Sequence, residues 1–102
     1  MPSIALREKN IMPSQGGKLW DSLFILVKDN DKDFIIDYIN RLPCDFCIKD
    51  THEKLNKLNI NFDNKSTNET RRLLWTLRCN LIKRYNDTDE DFNNYLEYLR
   101  LK

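Results

Sequence analysis

The chain has 102 residues, of which 40% are hydrophobic and 32% charged, enough for one globular domain and too apolar for a wholly disordered chain. Two glycines and three prolines are too few for the many tight turns of a sandwich or barrel. Seventeen basic residues against sixteen acidic ones, a formal net charge of +1, argue against a strongly basic nucleic-acid module.

No apolar run approaches the ~18 residues of a membrane span. The longest, Leu23 to Val27, is the size of a core segment. No basic stretch followed by an apolar one marks a secretory signal. Residues 1–16 lack periodicity. Pro2, Pro13, Ser14, Gln15 and Gly16 predict a flexible N-terminal segment ahead of a domain spanning 17–102.

From Lys18 onward the pattern is helical. Leu19, Trp20, Leu23, Leu26 and Val27 share one stripe at helix spacing. Asp29-Asn30-Asp31 interrupts it and supplies the next N-cap. Phe34, Ile35, Tyr38, Ile39 and Leu42 form a second stripe that stops at Pro43, because the residue before proline avoids the helical region. A third helix is expected from about Cys44 to Leu58, with a thin apolar face of Phe46, Cys47, Ile48, Leu55 and Leu58. Asn59 to Lys65 reads as a polar loop. Ser66 or Thr67 then caps a fourth helix carrying Leu73, Leu74, Trp75, Leu77, Leu81, Ile82 and Tyr85, apolar on more than one side and hence expected at the centre. Asp87-Thr88-Asp89 caps a short fifth helix with Phe92, Tyr95, Leu96 and Leu99. The expected fold is all-α, a four-helix bundle with a short fifth helix and short antiparallel connections.

Three cysteines, Cys44, Cys47 and Cys79, are too few and odd in number for a secreted disulfide scaffold. Two of them form Cys44-Asp45-Phe46-Cys47 at the start of the third helix. At that spacing they can close a disulfide within one turn, and a helix N-terminus favours the thiolate that thiol exchange requires. The first cysteine of such a pair is usually the exposed one and the second lies deeper. Two other readings stand beside redox chemistry: half of a zinc site, or an incidental spacing. A thioredoxin fold would need a strand before the motif and βαβ units around it. A helical stripe precedes it here, so a redox protein with this sequence is one built on helices.

On these residues the chain resembles the Erv/ALR family of flavin-dependent sulfhydryl oxidases, across about residues 17–100. Trp20 with Leu23 resembles the family's first-helix W-x-x-L-H signature, with Phe24 in place of the histidine. Leu42-Pro43-Cys44-x-x-Cys47 resembles its P-C-x-x-C centre, with Asp50 where the family often has a histidine and His52 two residues later. The fourth helix, Leu74 to Asn86, takes the place of the H-N-x-V-N flavin helix. One register sets Cys79-Asn80 over H-N with Lys83 over the last Asn; another sets Tyr85 over Val and Asn86 over the last Asn. Small size and a single Cys-x-x-Cys look most like the minimal versions made by large DNA viruses, poxviruses among them.

The resemblance implies FAD as cofactor and a flavin-dependent thiol oxidase as activity. A partner dithiol attacks the Cys44–Cys47 disulfide at Cys44. Cys47, against the isoalloxazine, passes two electrons to the flavin, and oxygen takes them to give hydrogen peroxide. Trp20, His52, Cys79, Asn80, Lys83, Tyr85 and Asn86 are then the candidate cofactor contacts. The implied partners are a thiol-containing relay or substrate protein and a second copy of the chain, paired through the first two helices, with Leu26, Val27, Phe34 and Ile35 as candidate interface or core residues. The implied location is the cytoplasm of an infected cell or the virion. Two rivals predict a colourless protein: a zinc module using Cys44, Cys47, His52 and Cys79, and a helical adaptor that kept the fold and lost flavin.

Overall fold

The structure, a computed structural model, describes residues 15–102, with side chains from Gly17 onward. The fold is all-α, with five helices and no strand among the described residues. They are α1 (Gln15–Leu26), α2 (Lys32–Asn40), α3 (Asp45–Lys57), α4 (Thr67–Leu81) and α5 (Asp89–Tyr98). Residues 1–14 of the expected flexible segment lie outside the described residues. Gln15 and Gly16 already belong to α1, so the helix starts before the expected boundary.

The connections are fixed by polar residues whose partners are specific. Ser66 caps α4 in a reciprocal pair: its hydroxyl accepts the Glu69 N–H at 3.1 Å while the Glu69 carboxylate accepts the Ser66 N–H at 3.0 Å. This satisfies two otherwise orphaned amides. Thr88 caps α5 by accepting the Asp91 N–H. The α1–α2 turn is tied to the start of α4, because Asp29 accepts from both the amide and the hydroxyl of Thr67 at 2.7 Å. Helix α3 ends with Asn59 in the left-handed region, φ 53°. There the Asn59 amide reaches the Asn56 carbonyl and the Ile60 amide reaches the Leu55 carbonyl, the paired bonds that close a helix C-terminus.

The core is built from the predicted stripes. Leu23 and Val27 of α1 and its end, Ile35 and Ile39 of α2, Leu74, Trp75 and Leu77 of α4, and Phe92, Tyr95 and Leu96 of α5 are all buried together. Helix α4 is central, as its apolar circumference requires. Trp75 is fully buried, lies against Tyr95 with ring centroids 5.0 Å apart, and sits 5.5 Å from Tyr85. Phe24 meets Tyr95 edge to face at 4.9 Å, so the position where the family signature has histidine is here an aromatic core contact. Of the four residues expected to serve interface or core, Val27 and Ile35 belong to the core, whereas Leu26 and Phe34 are exposed.

Two further expectations are corrected. The apolar face of α3 is not Phe46 and Cys47, both of which are exposed; Thr51 and Leu55 are the buried residues of that helix. Thr51 is accommodated because its hydroxyl donates to the Cys47 carbonyl one turn back at 2.7 Å, so that buried hydroxyl keeps a partner within its own helix. Helix α4 stops at Leu81, and Ile82 is extended, φ −119° and ψ 104°. Lys83 to Asn86 therefore lie beyond it. The Asn86 carbonyl accepts the Trp75 indole N–H at 3.2 Å, which folds the chain back over α4 instead of prolonging it.

A charged group sits inside this core. Arg78 is 1% exposed. Its guanidinium lies 5.2 Å from the Tyr85 ring centroid and 4.9 Å from that of Tyr95. It pairs with Asp21 at 3.3 Å, and the Tyr95 hydroxyl donates to the same carboxylate oxygen at 2.5 Å. One carboxylate of α1 thus holds a cation of α4 and a phenol of α5.

Candidate functional site

The chain enters the site through Leu42 and Pro43. The Arg41 and Leu42 amides still bond back to the Tyr38 and Ile39 carbonyls, after which proline ends the turn. Cys44 is extended, φ −136° and ψ 117°, and occupies the N-cap of α3. Its sulfur accepts the Cys47 N–H at 3.2 Å. This is the place a serine hydroxyl takes in an ordinary cap. Asp45, Phe46 and Cys47 form the first turn, and the Ile48 amide closes it on the Cys44 carbonyl at 3.0 Å.

That geometry splits the two thiols. The hydrogen bonds from Cys47 hold the Cys44 thiol below the usual thiol range, and the neighbouring amide of Phe46 adds to this. Cys47 is pushed up, first by its hydrogen bond to Cys44 and then by burial, the charge of Cys44 and the carboxylate of Asp50. The expected depth order is reversed: Cys44 is half-buried and Cys47 is exposed. An N-cap residue is tucked under the entering chain, whereas Cys47 stands one turn further along, on the side of the helix that opens onto a cavity.

The cavity has a volume of about 370 Å³, within the ~300–1,000 Å³ of small-molecule sites. Helix α1 supplies Gly17, Leu19 and Trp20; the entering chain supplies Leu42 and Pro43; the motif supplies Cys44, Phe46 and Cys47; Asp50 and Thr51 continue along α3; Leu81 and Ile82 close it from the end of α4. Leu19 is held in place because its carbonyl accepts the Tyr38 hydroxyl at 2.8 Å. A second, more open groove of about 390 Å³ lies between α2 and the α3–α4 loop and contains neither cysteine nor histidine among its walls.

Of the predicted site residues, Trp20, Cys44 and Cys47 are brought together around one space, and the other six are not among its walls. His52 bonds Asn40 at 2.7 Å, joining α3 to the end of α2; Asp50 is the residue of that turn that faces the cavity. Cys79 is buried, and burial pushes its thiol up to about 12. Asn80 donates back to the Thr76 carbonyl at 2.9 Å. Tyr85 packs on Trp75 and Arg78. Lys83 and Asn86 lie beyond the helix on which they were expected. Neither register of the H-N-x-V-N comparison therefore sets its residues against the cysteines. Leu81 and Ile82, which do face them, carried no signal beyond being the last apolar pair of the stripe.

The four residues of the zinc alternative are not assembled either. Among the described residues no group of three or more His, Cys, Asp or Glu side chains stands together to hold a metal ion. An isoalloxazine, by contrast, is a flat ring with an apolar dimethylbenzene edge and a polar pyrimidine edge. An indole, the aliphatic side chains of Leu19, Leu42, Leu81 and Ile82 and two adjacent sulfurs are walls that fit the apolar edge, and Asp50 and Thr51 stand among the same walls. Lys83, which follows Ile82 in the chain, is exposed.

The split between the thiols has a direct consequence. The thiolate is the reactive form, so Cys44 is expected to be alkylated by iodoacetamide at a lower pH than Cys47. Cys79 should stay unmodified at neutral pH until the chain is unfolded. Peptide mass spectrometry of samples labelled across a pH series reads the order directly; equal labelling profiles for Cys44 and Cys47 contradict it.

No family model matches the chain, and neither a curated protein nor a solved structure matches it. Among the described residues no helix is long and apolar enough to cross a membrane.

Proposed function

We propose that the chain is a flavin-linked thiol oxidase of the Erv/ALR kind, which forms disulfides in a partner thiol protein. The observation that carries this reading is the meeting of Cys44, Cys47 and Trp20 around one apolar cavity at the N-terminus of α3. A redox pair needs a helix N-terminus for its thiolate and, for electron transfer to a ring, an apolar slot beside it. Both stand here within one turn of helix.

The chain's own chemistry is thiol exchange. The partner's first thiolate attacks the Cys44 sulfur of the Cys44–Cys47 disulfide. A partner–Cys44 disulfide forms and Cys47 leaves with the electron pair of the broken bond. The partner's second thiolate then attacks its own sulfur in that mixed disulfide, forms the partner's disulfide and expels Cys44. Cys44 suits this departure because the Cys47 N–H and the helix N-terminus hold its negative charge. The partner has lost two electrons and two protons, and the pair has gained the two electrons. FAD, when bound in the cavity, supplies the route by which that electron pair reaches oxygen and gives hydrogen peroxide. Cys47, exposed toward the cavity, is the sulfur that a ring there would cover. Trp20 and the aliphatic walls would hold that ring.

The family resemblance and the fit of the cavity support the reading together; a homodimer and a viral, cytoplasmic setting rest on the resemblance alone. Oxygen uptake by the purified chain with dithiothreitol tests it. Uptake accompanied by peroxide and lost in Cys47→Ser is the expected outcome; a chain that consumes no oxygen with any dithiol after incubation with FAD overturns it.

A further inference from the structure

Phe46 stands between the two cysteines and is 74% exposed, the most exposed large hydrophobic residue among those described. A single exposed aromatic is ordinary on a protein surface. This one is not isolated: it lines the same cavity as Cys44 and Cys47 and continues its apolar wall of Leu42 and Pro43 outward. It also occupies the second position of α3, two residues after Cys44. A thiol brought to Cys44 enters a cavity that this ring also lines. A small dithiol would leave most of it wet, whereas a polypeptide carries side chains on either side of its cysteine, at the distance of one residue.

We propose that Phe46 is the residue by which the site selects its polypeptide substrate, docking an apolar side chain next to the attacking cysteine. The proposal rests on the thiol-exchange reading of the Cys44–Cys47 pair. The ring contributes contact area in the encounter, so it acts on how well the partner thiol is held and not on the sulfur chemistry. Asp45 beside it is also exposed, so an acidic flanking side chain is disfavoured and an apolar or basic one accepted.

The test needs no flavin. The full chain, oxidised to the Cys44–Cys47 disulfide, is mixed with two reduced single-cysteine peptides that differ only in having leucine or serine on both sides of the cysteine. The rate of mixed-disulfide formation is followed by mass spectrometry. The expected result is a preference of about tenfold for the leucine peptide, which Phe46→Ala reduces toward unity and Phe46→Leu largely restores. Equal rates for the two peptides, or a preference that survives Phe46→Ala, overturn the proposal. Phe46→Ala that changes the sedimentation of the chain and leaves peptide preference intact assigns the ring to a contact between copies and overturns it too. A flavin-supplemented arm with dithiothreitol separates the two readings: peptide preference without oxygen uptake removes the oxidase and leaves the role of Phe46 standing.

Discussion

Cys47→Ser is expected to abolish thiol oxidation, by roughly a thousandfold or more, while leaving the helical fold and any bound flavin in place. No exchange disulfide can form with one sulfur missing, and the Cys47 amide that caps onto Cys44 is a backbone group that the substitution keeps. Cys44→Ser should abolish turnover equally and yet keep or slightly raise stability. Serine at an N-cap is a better acceptor than a thiol, and only removal of the acceptor altogether, as in Cys44→Ala, is expected to cost about 1 kcal/mol. The pair of substitutions therefore separates the two duties of Cys44. Oxygen uptake reads the first, and the midpoint of urea unfolding reads the second. A Cys47→Ser chain that oxidises dithiothreitol at the wild-type rate would take Cys47 out of the chemistry.

The largest stability effect is expected at Asp21. Its carboxylate accepts from Arg78 and Tyr95 at once, and Arg78 is almost fully buried. Burial pushes the Tyr95 phenol far upward, so that hydroxyl remains a donor. Removing Asp21 leaves a buried guanidinium without its carboxylate, against the rings of Tyr85 and Tyr95. Such contacts supply about 0.5–2 kcal/mol each, against roughly 3–5 kcal/mol for a buried charge that has lost its partner. Asp21→Ala should therefore lower the unfolding free energy by roughly 3 kcal/mol, a large part of the ~5–15 kcal/mol of a domain. Adding Arg78→Met to it should recover most of the loss, because the apolar pair no longer contains an orphaned charge. A loss below about 1 kcal/mol in Asp21→Ala alone, measured by urea unfolding, would mean that Arg78 reaches water.

Much of this architecture was legible from periodicity and caps. The stripes containing Leu23, Ile35, Ile39, Leu74 and Phe92 identify core faces because a helix with one apolar stripe has only one way to bury it. Ser66 with Glu69, and Thr88, mark helix starts through bonds that form within four residues. The site was legible only in part. The Cys-x-x-Cys spacing is local, so its place at the head of α3 followed from Pro43 and the next apolar stripe. The end of α4 is not local. Lys83 to Asn86 have nothing against helix in their own composition, and it is the indole of Trp75, eleven residues earlier, that captures the Asn86 carbonyl. The same holds for Arg78: a cation in a helix reads as solvated until the rings of two tyrosines from outside that helix are placed around it. His52 reads as a cavity residue by its distance from Cys47, but the 3.6-residue turn sends it toward Asn40 and leaves Asp50 facing the sulfurs.

The central claim is that the space between Trp20 and the cysteine pair holds a flavin ring in electron contact with sulfur. The visible absorption spectrum of the purified chain, recorded before and after anaerobic addition of dithiothreitol, tests it most directly. The expected result is a yellow protein whose flavin absorption bleaches with dithiothreitol and returns on admitting oxygen. A chain that is colourless as purified and binds no added FAD contradicts it.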